Sequence, residues 1–350
     1  MSLINIKIIV PFLLVIGLTF LNIGCIDKSK NTNHANKSTI VYPSEVIPFM
    51  HNWRILLGDG TRSDTLDNFQ KDQFFFVEIE DNTKWVVYKT PNSGITSKTS
   101  NNTRTELGEK RHWIPEVGGK LTGTLKVQHV STTGDARVPS SYSVVIGQIH
   151  SEEGHKNEPL KIFYKKFPGH TKGSVFWNYE INTEGDNSGR WDVSTAVWGT
   201  NWAVLGTSKD RYPDEPEDGI ALGEEFRYEI NVYKGIMHLT FSSKGHETKR
   251  FEKNLLKSDF SKKENIPKQV LKVYESRNRE GIERDSAYAG EIQIFKQGAY
   301  NQANGKSTKS ETYNGDIKTQ YAHGSYAEVW FKEATVGFGT VPDSINLEKL

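Results

Sequence analysis

Three short segments of the 350-residue chain carry side chains able to bind a carboxylate and to move a proton. The first is Arg104-Thr105-Glu106-Leu107. On an extended strand Arg104 and Glu106 share a face. A guanidinium steadied by a neighbouring carboxylate offers a fork that matches two oxygens of an acidic ligand. The second is Gln148-Ile149-His150, where period two sets an amide donor beside an imidazole that titrates near neutrality. Gly147, just before it, leaves room for a ligand or another backbone to approach. The third runs from Ile294 to Gln302. Lys296 and Tyr300 share a face of an unbulged strand there, a cation beside a phenol, and Gly298 marks a close approach or a bend. Taken singly, each segment has a plainer reading: a salt-bridged surface strand, a strand-end histidine, a half-buried tyrosine.

The elements that must position these groups read as strands. Residues 121–130 alternate Leu121, Leu125 and Val127 with Thr122, Thr124 and Lys126. Phe226, Tyr228, Ile230 and Val232 alternate with polar residues, and Lys234-Gly235 then turns the chain into 236–241, a hairpin signal. Further strands are expected over 74–79, 85–88, 143–150, 161–164, 174–181, 288–296 and 327–337. Helical periodicity is scarce, with short helices at most over 255–260 and 267–274. Residues 205–219 lack apolar periodicity and read as a long loop, a candidate lid. Many short strands with polar turns predict an all-β sandwich or jelly roll. Lys161, Lys165, Lys166 and Lys172 would give its surface a basic groove, and Trp177, Tyr179 and Trp198 would stack on sugar faces.

Composition bounds the rest. Formal net charge is +1, from 44 basic and 43 acidic residues, so any polyanion site must be a local one. Charged residues make up 25%, which is not the composition of a disordered chain. Lys7 precedes an apolar run over 8–20, and Gly24-Cys25 follows. That reads as a secretory signal over 1–24, too short for a spanning helix, ending in a lipobox whose Cys25 becomes lipidated. A Lys-, Asn- and Ser-rich tether then covers 25–42, and a single catalytic domain is expected over 43–350. Cys25 is the only cysteine, so there is no disulfide framework and no thiolate metal site. No metal-ligand spacing occurs among the ten His, and no metal site is expected.

In this order and spacing the three segments resemble the alginate lyases of polysaccharide lyase family 7. Those carry Arg-x-Glu-Leu, Gln-(Ile/Val)-His and Tyr-Phe-Lys-Ala-Gly-x-Tyr-Asn-Gln. The resemblance covers roughly residues 45 to 340. It implies a concanavalin-like β-jelly roll with long loops over a concave groove, and cleavage of 4-linked uronates by β-elimination. It assigns Arg104 and Gln148 to neutralising the substrate carboxylate, and His150 and Tyr300 to the proton transfers. Glu106, Lys296, Asn301 and Gln302, with Trp177 and Tyr179, become substrate-binding candidates. Ile between Gln148 and His150 accompanies acceptance of guluronate-containing blocks. No cofactor is implied. The expected partners are alginate and, through Cys25, the outer membrane, with no nucleic acid and a monomeric chain. Three positions depart from the pattern: Gly108 stands where an Arg often follows Glu-Leu, Ile294 replaces the first Tyr, and Gln297 replaces Ala. The alternatives are a non-catalytic glycan-binding lipoprotein, a lyase for another polyuronate, or a hydrolase, which would need two carboxylates at a set separation.

Overall fold

The structure is a computed structural model that describes residues 40–96, 100–153, 157–183, 191–268, 282–303 and 316–343. The signal segment, Cys25 and nearly all of the tether lie outside the described residues, as does most of the helix expected over 267–274. The folded unit spans Val41–Leu350.

Sixteen strands are described. They are β1 (Trp53–Leu56), β2 (Arg62–Ser63), β3 (Phe75–Glu80), β4 (Thr83–Pro91), β5 (Arg104–Glu109), β6 (Gly119–His129), β7 (Ser143–Ser151) and β8 (Leu160–Lys165). The remainder are β9 (Lys172–Glu180), β10 (Asp192–Trp198), β11 (Ile220–Ala221), β12 (Glu225–Tyr233), β13 (Ile236–Ser243), β14 (Lys249–Asn254), β15 (Gln293–Asn301) and β16 (Tyr326–Gly337). They form two antiparallel sheets. The nine-stranded sheet runs β10-β9-β8-β7-β15-β5-β1-β2, with β11 pairing β9. The seven-stranded sheet runs β14-β13-β12-β6-β16-β4-β3. The fold is the all-β jelly-roll sandwich expected from the alternation, with its apolar core between the sheets.

Local chemistry explains the pairing. Lys234 and Gly235 both take positive φ, 49° and 79°, as a two-residue hairpin turn between β12 and β13 demands. Tyr88 meets Phe331 edge-on at 5.5 Å within the core. Gln297 reaches across from the other sheet, donating to the Tyr228 hydroxyl at 2.7 Å and to the Thr122 carbonyl at 3.2 Å. This accounts for a departure noted above: at position 297 the side chain points inward, and an amide there ties the sheets together.

Two expectations are corrected. The strand expected over 288–296 begins later and extends further, because Tyr288 is a core residue in a turn preceding β15. Residues 255–260 form no helix. Asn254 caps a bend there by accepting from the backbone of Leu256 at 2.8 Å. The loop over 205–219 is present. Glu215 pins it by accepting from the backbone N–H groups of Thr171 at 3.0 Å and Lys172 at 2.8 Å.

Candidate active site

The three chemistry-bearing segments become three adjacent strands. β15 lies between β5 and β7 in the nine-stranded sheet. Its register sets Tyr300 opposite Arg104 and Lys296 opposite Gln148. All four side chains, with Glu106 and His150, lie on the face turned away from the core. A β-bulge in β7 makes this possible. The register against β8 shifts between Val145 and Gly147, so Ile146 and Gly147 both point inward while Val145 and Gln148 both point outward. Gly147 is therefore needed for a reason other than ligand approach. A Cβ there would sit 2.7 Å from the Tyr228 hydroxyl. Gly298 has φ +144° and lies opposite Glu106, where a Cβ would meet the Thr105 carbonyl at 2.6 Å.

Glu106 is the buried anchor. One oxygen pairs with Arg104 Nη1 at 3.3 Å, and the other accepts from Gln148 Nε2 at 2.5 Å. Since β5 and β7 flank β15, the second bond passes over the central strand near Gly298. Arg104 Nη2 donates to Ser100 Oγ at 3.1 Å, and that hydroxyl lies 3.2 Å from the Tyr300 hydroxyl. The guanidinium carbon sits 3.7 Å from the centroid of the Tyr300 ring. Burial opposes the Arg104 charge, but Tyr300, Glu106 and Glu158 outweigh it and hold the group cationic. Arg104 Nε, Gln148 Oε1 and His150 Nδ1 are buried without a hydrogen-bond partner among the described residues. A ligand carboxylate would complete the Arg104 N–H, and a ligand hydroxyl the Gln148 oxygen.

Electrostatics differ sharply between the two titratable bases. Burial, followed by the Lys296 ammonium, depresses His150 to about 3, against a smaller opposing influence from Glu158. The imidazole is thus neutral at ordinary pH. Burial also lowers Lys296, to about 8, with Glu106 opposing and Arg104 assisting.

A second aromatic group lies on the same outward face. Tyr300 packs beside Val145, Phe163, Phe176 and Trp202. Phe163 and Phe176 stack at 4.9 Å with planes 9° apart, and Trp202 meets Phe163 edge-on at 4.7 Å. Register makes this a continuous row across the sheet, Arg104–Tyr300–Val145–Phe163–Phe176. A polar row runs beside it, Lys296–Gln148–Lys161–Asn178.

Other expected residues sit elsewhere. Trp177 and Tyr179 are core residues, which corrects their reading as sugar platforms. Asn178 pairs outward with Lys161, so its neighbours on β9 must point inward. Trp177 packs on Phe251, and the Tyr179 hydroxyl bonds Glu283. Trp198 is likewise buried, donating to the Glu247 carbonyl at 3.0 Å. Asn301 is inward and structural rather than substrate-facing, donating to Asn92 at 2.8 Å and accepting from the Ala303 backbone at 2.9 Å. Gln302 is nearly buried and bonds the Tyr300 carbonyl at 3.4 Å. Of the four lysines expected to line a basic groove, Lys161 stands in the polar row of the site, where Lys296 joins it. Lys165 donates to the Pro139 carbonyl at 2.8 Å and is pushed by burial to about 7, while Lys172 donates to the Glu217 carbonyl at 2.5 Å. At Gly108, where an Arg is usual, the side chain of Arg54 from β1 lies overhead, its Nε 3.4 Å from where a Cβ would be.

Sequence reading missed Ser100, Trp202 and Glu158. Glu158 Oε1 lies 3.4 Å from His150 Nε2. None of the three belongs to a segment with a pattern of its own; each reaches the site from a connection between strands.

A jelly roll whose outward sheet face combines a buried Arg–Glu–Gln array with a neutral histidine and a guanidinium-covered tyrosine belongs among the carbohydrate-active β-sandwich enzymes. The alginate lyase family model matches residues 47–337, and the chain belongs to that family, polysaccharide lyase family 7. An exolytic family-7 alginate lyase from Zobellia galactanivorans is 70% identical, with a TM-score of 0.85 over 86% of this chain and 99% of that one. An alginate lyase from Klebsiella pneumoniae is 29% identical over 262 residues, 65% of this chain and 71% of its own length. The family-7 alginate lyase A1-II′, 17% identical with a TM-score of 0.54, shares the fold, covering 86% of this chain and 100% of its own.

Proposed function

We propose that this chain is an exported alginate lyase that cleaves by β-elimination, works from chain ends and accepts guluronate-containing blocks. The observation that carries the reading is the convergence of Arg104, Gln148, His150 and Tyr300 on one face of three adjacent strands. Exolytic action is taken from the 70% identical relative, which is an exolytic enzyme. Acceptance of guluronate rests on Ile149 between Gln148 and His150.

β-Elimination removes the C5 proton of a uronate and expels O4 from C4. The proton is a poor acid because its carbon bears a carboxylate. Charge must flow into that carboxylate as an enolate-like species forms, and donors aimed at it lower the barrier. Arg104 and one N–H of Gln148 serve as those donors; the other N–H is held by Glu106. Lys296, opposite Gln148, adds a nearby cation. In guluronate the proton and leaving group lie on opposite faces. There His150, neutral and ready to accept, takes the C5 proton, and Tyr300 protonates O4. In mannuronate both lie on one face, and Tyr300 serves as base and then acid. A free phenol ionises near ~10, so a cation beside a developing phenolate is what this role requires, and Arg104 lies over the ring.

The signal-like segment over 1–24 and Cys25 support export and lipid anchoring at the outer membrane. The test is incubation of the purified enzyme with polymannuronate, polyguluronate and mixed polymer, following ultraviolet-absorbing unsaturated uronate and sizing the products over time. Monomer or other very short products from the outset, with long polymer persisting, are expected. A rapid fall in polymer length before short products accumulate would replace the exolytic reading, and absence of unsaturated product would replace the lyase reading.

A further inference from the structure

We infer that Glu158 is the positioning residue and counter-charge of His150 in the proton abstraction from guluronate. The inference rests on the reading of His150 as base. Glu158 lies in the connection just before β8 and is largely buried. Its Oε1 is 3.4 Å from His150 Nε2, and its Oε2 is 3.1 Å from Lys161 Nζ. Lys161 also pairs with Glu180. Glu180 in turn accepts from the Glu158 backbone N–H at 2.7 Å, so both the main chain and the side chain of Glu158 are fixed.

The charges around the imidazole give this carboxylate its role. Lys296 on β15, Arg104 on β5 and Lys161 on β8 all oppose a proton on His150, and Glu158 favours one. Cations suit the binding of an acidic sugar, but they make the adjacent base weak. When the C5–H bond breaks, its electron pair forms the C4–C5 double bond, the C4–O4 bond breaks, and Tyr300 gives O4 a proton. His150 is then an imidazolium among three cations. Glu158 is placed to stabilise that state and takes no proton itself. A carboxylate beside a catalytic imidazole acts in the same way in serine hydrolases.

Mannuronate cleavage by Tyr300 does not pass through an imidazolium, and this separates a role in proton abstraction from a merely structural one. Glu158→Gln is expected to lower kcat on polyguluronate by about 10- to 100-fold without raising KM. On polymannuronate the loss should be several-fold smaller. Glu158→Asp, which retains the charge, should recover part of the guluronate rate, and it carries the test if the Gln variant does not fold. A kcat on polyguluronate within twofold of wild type in a folded variant, or equal losses on both polymers, would overturn the inference. His150→Ala, assayed alongside, tests the reading beneath it. If that variant retains polyguluronate cleavage, the base assignment fails. If it loses cleavage while Glu158→Gln keeps it, only the role of Glu158 fails.

Discussion

Burial acts on His150 and Lys296 in the same direction and gives them opposite uses. Both lose proton affinity, the first to about 3 and the second to about 8. His150 is therefore unprotonated over the whole neutral range, as a base must be. Lys296 is charged below about 8 and loses its charge above it. If its charge helps to hold the uronate carboxylate, kcat/KM, which reports the free enzyme, should fall as pH rises through about 8. Lys296→Met should remove that alkaline limb and lower kcat/KM at pH 7 by about 10- to 100-fold, the scale of a lost charged hydrogen bond. A variant that keeps the limb would show that another group produces it. At this scale the sequence was informative where two groups of the site lie two positions apart on one strand, as with Arg104 and Glu106 or Gln148 and His150. It was silent about Glu158 and Ser100, which lie in connections between strands, where no alternation of faces shows that they meet His150 and Tyr300.

The strands show where period-two reading holds and where it breaks. β6 and the β12–β13 hairpin were legible because apolar and polar residues alternate cleanly and Lys234-Gly235 supplies the turn. β9 was legible as a strand but not in its facing. It is buried on both sides, so Phe176 and Asn178 outward and Trp177 and Tyr179 inward look alike in the sequence. Aromatic residues suited to a sugar face proved to be packing. Trp177→Ala should accordingly destabilise the protein by about 3–5 kcal/mol, while the fraction that remains folded keeps its KM for alginate. Denaturant unfolding and steady-state kinetics on the same preparation check this; a raised KM with unchanged stability would return Trp177 to the substrate. The bulge at Ile146-Gly147 is the other break. It reverses the alternation for one residue and thereby brings Val145 and Gln148 to the same side, with Gly147 turned toward Tyr228 of the opposite sheet.

At the scale of the whole molecule, the sandwich, the order of the motifs and the family were legible because each rests on many residues or on three segments together. The proposed anchor is argued from 24 residues and one cysteine, and is tested separately: Cys25→Ser should move the protein from the membrane fraction to the soluble exported fraction, leaving the catalytic rate of the folded domain unchanged. Unchanged membrane association would remove the lipid from the account. The central claim is that the surface formed by β5, β15 and β7 performs β-elimination on alginate, with Tyr300 delivering the proton to the leaving oxygen. The most direct measurement is the rate of unsaturated uronate formation by wild type and by Tyr300→Phe, with circular dichroism confirming that the variant is folded. The account predicts ready formation by wild type and a loss of at least about 100-fold in the variant, the scale of general acid–base catalysis. A folded Tyr300→Phe enzyme that forms unsaturated product at the wild-type rate would contradict it.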